Sequence, residues 1–111
     1  MNQHLAVHVG NLPTHANYIV SKIDENFDTD NRVQRQVLCL AEETGEFVAS
    51  YRRWSGNARR HGSMAEMENE LADVLVVAFV LAEILNIDIE RVLSHKLDVI
   101  YTRGWKDANG N

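Results

Sequence analysis

The chain has 111 residues, 45% hydrophobic and 24% charged, with a formal net charge of -5. That length fits one domain, read as residues 1–111 with a core over about 14–105, and the acidic balance argues against a general nucleic-acid binder, because phosphate backbones attract basic surfaces. The longest apolar run, Val74 to Ala82, is too short to span a bilayer, and no charged segment leading into an apolar stretch marks a secretion signal.

Pro13 is the only proline, and there is little β-branched alternation, so the expectation is an all-α protein. The segment before it is read as irregular. Its histidines His4 and His8, together with His15, lack the paired helical spacing of a zinc site and are read as surface residues. A first helix is predicted from about Thr14 to Phe27, with Tyr18, Ile19, Ile23 and Phe27 at apolar spacing. Asp28, Thr29, Asp30 and Asn31 then break the chain and are expected to supply capping groups for the next helix.

The second helix is predicted from about Asn31 to Trp54. Val33, Val37, Leu40, Ala41, Thr44, Phe47, Val48 and Tyr51 form one stripe at a 3.6-residue period, flanked by Glu43 and Glu46. Gly45 costs this helix roughly 1 kcal/mol relative to alanine, and admits close approach of a neighbour or ligand. Cys39 has no second cysteine to pair with and is read as a buried thiol in a reducing, cytoplasmic compartment. The connection from Ser55 to Gly62 is polar and basic. Arg52, Arg53, Trp54, Arg59, Arg60 and His61 around it have two readings: a tryptophan that stacks a base beside arginines that grip phosphate, or a solvated basic loop with its tryptophan tucked onto the core.

The third helix opens at Ser63, with Glu66 three residues on as a capping-box signature, and continues to about Leu85. From Leu71 to Ala82 it is apolar all round apart from Asp73. Such a helix is usually enclosed by protein, which in a small domain points to a subunit interface. Asn86 and Asp88 mark a turn. The fourth helix, about Ile89 to Arg103, carries Val92, Leu93, Leu97 and Ile100, has His95 on its surface, and stops at Gly104. The tail from Lys106 to Asn111 is expected to fray.

Two acidic pairs carry the chemistry. Glu43 and Glu46, and Glu70 and Asp73, are each spaced i, i+3, which puts both carboxylates of a pair on one side of a helix. A short connection makes the two helices antiparallel, so four carboxylates can meet at one point. Their mutual repulsion calls for a cation, and hard oxygen ligands suit Mg2+ or Mn2+. A magnesium cage on helices is a place to hold a phosphate chain. Asp73 is the sharpest member, because an ionised carboxylate in an apolar run is costly unless it binds metal, pairs with an arginine, or sits at the edge of the buried region.

The run Leu40-Ala41-Glu42-Glu43-Thr44-Gly45-Glu46-Phe47, followed by Glu70-Leu71-Ala72-Asp73-Val74, resembles the MazG-like nucleoside triphosphate pyrophosphohydrolases, over about Val33 to Trp105. The motif of that all-α superfamily is Glu-Glu-x-x-Glu, a spacer, then Glu-x-x-Asp. The resemblance implies a four-helix bundle completed by homodimerisation, as a dimer or a dimer of dimers. It implies that Glu43, Glu46, Glu70 and Asp73 bind Mg2+, with Mn2+ able to substitute. Glu42 matches the first glutamate and would sit behind the metal ligands or orient water, so Glu42, Glu43 and Glu46 form the expected catalytic set. Lys96 and Arg103 match basic positions that contact the phosphate chain, although cations near a helix C-terminus are also favoured by the helix dipole. With Trp54 they make up the expected substrate-binding set. Ile100 stands where many members carry asparagine. The implied reaction is Mg2+-dependent hydrolysis of a nucleoside triphosphate to the monophosphate and pyrophosphate, without nucleic acid or membrane. A phosphoribosyl-ATP-type substrate, a non-catalytic nucleotide-binding or interaction role, and a purely structural bundle are the competing readings.

Overall fold

The structure, a computed structural model, describes residues 8–105. His4 and the tail from Lys106 lie outside the described residues. A 3-10 turn, Val9–Asn11, leads into four helices: α1 (Leu12–Asn26), α2 (Arg32–Trp54), α3 (Met64–Ile84) and α4 (Ile89–Thr102). The described residues contain no strand, as the sequence predicts. α1 begins two residues earlier than expected and takes Pro13 into its first turn, where a missing N–H costs nothing.

Local chemistry fixes the helix ends. The Ser63 hydroxyl accepts a 3.0 Å hydrogen bond from the Glu66 backbone N–H, and Asp88 accepts one of 3.2 Å from the N–H of Arg91. α2 closes through Gly56, whose φ of 83° lets Asn57 N–H reach the Arg52 carbonyl. α3 closes the same way through Asn86, with Ile87 N–H on the Ala82 carbonyl. The start of α2 departs from expectation. Asn31 occupies the cap position in the left-handed region, at φ 63°, and its side chain caps nothing. Arg35 organises this turn instead, donating 2.8 Å to the Asp30 carbonyl and also reaching the Asp28 carbonyl, while Arg32 pairs with Asp24 of α1 at 2.7 Å.

α3 is the central helix, with α2 packed along it and α1 packed against it. The core is small. Ala16, Val80 and Ile84 are buried, with Ile19, Val20, Ile23, Val33 and Phe79 half-buried around them. The apolar half of α3 is thus not enclosed within one chain: Val80, Ala82 and Ile84 are buried, but Leu71, Leu75 and Val76 are exposed. Cys39 is half-buried rather than buried, because the part of α2 that carries it is open to solvent on one side. α4 has no buried residue and makes no extensive contact with α1, α2 or α3. The radius of gyration is 17.2 Å, against about 13 Å for a compact chain of this length.

Candidate functional site

The site is built on the seam between α2 and α3. On α2, Glu43 and Glu46 are one turn apart, and on α3 Glu70 lies opposite them. One carboxylate oxygen from each of Glu43, Glu46 and Glu70 falls within 4.8 Å of the others. Glu46 is exposed, and Glu43 and Glu70 are half-buried. One oxygen of Glu43 and one of Glu70 are nevertheless shut off from solvent and have no hydrogen-bond partner. A buried acceptor without a partner is costly, and native structures rarely tolerate it without a function.

Electrostatics record the same crowding. The Glu43 carboxyl is held above its ordinary pKa first by desolvation, then by the charges of Glu46, Asp73, Glu70 and Glu42. Glu70 is also raised, first by desolvation, then by Glu46 and Asp73, by a side-chain hydrogen bond with Glu46, and by Glu66. Among the described residues no arginine, lysine or histidine forms an ion pair with Glu43, Glu46, Glu70 or Asp73. The described residues therefore supply no neutralising cation to the cluster. The geometry fits a hard divalent cation: carboxylates converge from two helices, and two of the residues, Glu43 and Glu70, each also have an oxygen shut off from solvent without a partner.

Asp73 lies outside the converging set of three, but its charge acts on both Glu43 and Glu70. It is half-buried, and no arginine pairs with it, which removes the structural salt bridge as its explanation. Glu42 is exposed beside the cluster and contributes to the upward push on Glu43.

The expected basic residues are not gathered at this seam. Lys96 is exposed on α4 and Arg103 caps its C-terminus, and α4 does not pack on the α2/α3 hairpin within the chain. Trp54, the last residue of α2, is 42% exposed, with its ring 6.2 Å from that of Tyr51. It is therefore neither free in solvent nor tucked fully onto the core. His8 and His95 are exposed and His15 is half-buried.

One pair was not legible in the sequence. Arg53 donates to Glu66 at 2.8 Å through Nε and again through a terminal nitrogen, tying the end of α2 to the start of α3. Arg53 is thus engaged in closing the hairpin rather than free for phosphate. Glu66 uses its carboxylate on Arg53 and only its backbone N–H on Ser63. The signal was the charge reversal between the basic end of α2 and the acidic start of α3, masked by the capping-box spacing.

The family model of the MazG nucleotide pyrophosphohydrolase domain matches residues 32–103, which spans α2, α3 and α4. No curated protein and no solved structure matches the chain. No helix of the described residues is long and apolar enough to cross a membrane.

Proposed function

The chain belongs to the MazG nucleotide pyrophosphohydrolase family, and from that premise we propose that it hydrolyses a nucleoside triphosphate to the monophosphate and pyrophosphate with Mg2+, for which Mn2+ can substitute. The observation that carries this reading is the convergence of Glu43, Glu46 and Glu70 with two sequestered, unpartnered oxygens and no cationic side chain. These three residues and Asp73 hold the cation. When bound, the ion supplies positive charge that offsets the phosphate oxygens and the charge on departing pyrophosphate.

Glu42 and Glu46 are exposed at the edge of the cluster. Glu42, which is not among the residues that hold the cation, accepts the proton of the attacking water as its oxygen bonds to phosphorus and the anhydride bond to pyrophosphate breaks. No covalent enzyme intermediate is involved. Lys96 and Arg103 grip the phosphate chain when α4 meets a hairpin, and the open face of Trp54 stacks the base. The working form is a homodimer or a dimer of dimers, since α4 and the exposed side of the hairpin have no cover within one chain.

The test is pyrophosphate release from a panel of standard and modified nucleoside triphosphates, with Mg2+ and with chelator, for the wild type and Asp73→Ala. Release should require metal and fall at least about a hundredfold in the variant. Undiminished release in chelator, or in the variant, would sink the metal reading. No release from any nucleotide, with the protein folded and Mg2+ bound, would favour a phosphoribosyl-type substrate or a non-catalytic role.

A further inference from the structure

The acidic cluster lies between two points that pin α2 to α3. At one end is the apolar core, where Val33 packs against the cluster of Ala16, Val80 and Ile84. At the other, beside the connection, Arg53 meets Glu66, the one ion pair that joins α2 to α3 among the described residues. The helical repeat puts this pair on the same seam as the carboxylates. Arg53 follows Glu46 by seven residues, two turns or about 10 Å along α2. Glu66 precedes Glu70 by four, one turn or about 6 Å along α3. Ser50 lies between Glu46 and Arg53 at the same helical spacing, and its small side chain is enclosed, at 1% exposed.

The pair is held firmly. Arg53 donates to Glu66 through two nitrogens, and the two side chains are 20% and 35% exposed. A two-point contact fixes direction as well as distance. Gly62 closes over it: a Cβ there would lie 2.9 Å from the Arg53 Cβ and 3.3 Å from Glu66 Oε2. The Arg53 Cβ is fixed to its helix and cannot swing aside, so this closure requires glycine. Repulsion among Glu43, Glu46, Glu70 and Asp73 pushes α2 and α3 apart, and the ion pair opposes it from one to two turns away. The gap matters to a cation. Mg2+ demands near-octahedral oxygens at about 2.0–2.1 Å, whereas Ca2+ accepts looser geometry at about 2.3–2.6 Å. We propose, resting on the metal reading above, that Arg53 and Glu66 are positioning residues for the metal site. Their ion pair, closed under Gly62, holds Glu46 and Glu70 at the gap a small cation needs, and so sets a preference for Mg2+ over Ca2+.

Calorimetric titration with Mg2+ and with Ca2+ tests the pair and the metal site separately. The readout is the ratio of the two affinities, because a change of nearby charge moves both ions alike: losing the Arg53 charge strengthens them, and losing that of Glu66 weakens them. Arg53→Gln, Glu66→Gln and Gly62→Ala should each cut the preference for Mg2+ over Ca2+ about tenfold, at unchanged helix content. Gly62→Ala leaves both charges in place, so its effect is one of position alone. Arg53→Lys keeps the charge but offers one point of contact in place of two. It should fall between the wild type and Arg53→Gln, and it carries the test if Arg53→Gln does not fold. A preference unchanged in these variants, or both ions weakened equally, would overturn the positioning role and leave the metal site standing. A wild type that binds no Mg2+ would overturn both.

Discussion

The Glu43 and Glu70 carboxyls carry opposing demands of stability and chemistry. Each has one oxygen sealed from water without a donor, and each is pushed toward its protonated form. Removing charge there without changing volume should relieve the metal-free protein and disable the loaded one. Glu43→Gln is expected to raise the thermal midpoint in chelator and to lower pyrophosphate release about a hundredfold. A midpoint unchanged or lowered in chelator would mean that the cluster stores no such tension. The pH dependence follows with a definite sign. Both pKa values lie higher in the folded chain than the ordinary 4.5, so the folded state holds more protons than the unfolded one between those limits. This contribution to stability is complete below the ordinary value and is lost as pH rises through the raised ones. In chelator, the denaturation midpoint of wild type should therefore decline with pH over that window more steeply than that of Glu43→Gln. Saturating Mg2+ should flatten the difference.

At the scale of the elements, the helices were legible because each carries its own period and stop signals. The Ser63 cap, the Gly104 terminus with its φ of 76°, and the i, i+3 acid pairs all act within one or two turns, so sequence spacing alone reports them. Ser63→Ala should accordingly cost about 1 kcal/mol, measured by urea denaturation, with the activity of the folded fraction unchanged. What escaped the sequence were choices between partners. The run from Asp28 to Asn31 looks like a set of caps, yet Arg35 claims its carbonyls and Asn31 turns left-handed. Glu66 looks like half of a capping box, yet its carboxylate closes the hairpin through Arg53. At Glu66 an arginine from the neighbouring helix takes the carboxylate that a capping box would use, whereas in the turn the Asp28 carboxylate accepts the Asp30 N–H while Arg35 binds the carbonyls. Charge-assisted contacts are the stronger ones, and their partners are decided by packing that periodicity does not encode. Gly45 illustrates the opposite case. A Cβ there would meet nothing within 4 Å, so within one chain no neighbour demands the glycine.

The whole molecule divides into a folded part and an arm. α1, α2 and α3 share the core of Ala16, Val80 and Ile84, while none of the 14 residues of α4 is fully buried and only Ile89, Leu93 and Ile100 are half-buried. A helix of that length with little tertiary support is marginal in water. Backbone amides should report the difference directly. Those from Val92 to Thr102 are expected to exchange with deuterium at nearly their unprotected rate in dilute protein, while those around Val80 and Ile84 wait for global opening. Addition of a nucleotide that engages Lys96 and Arg103 should slow the first set. Part of the intrinsic attraction for that nucleotide is then consumed in making the arm rigid. The arm would thus act as a selectivity filter, because a ligand too weak to order it would gain nothing from its two cations.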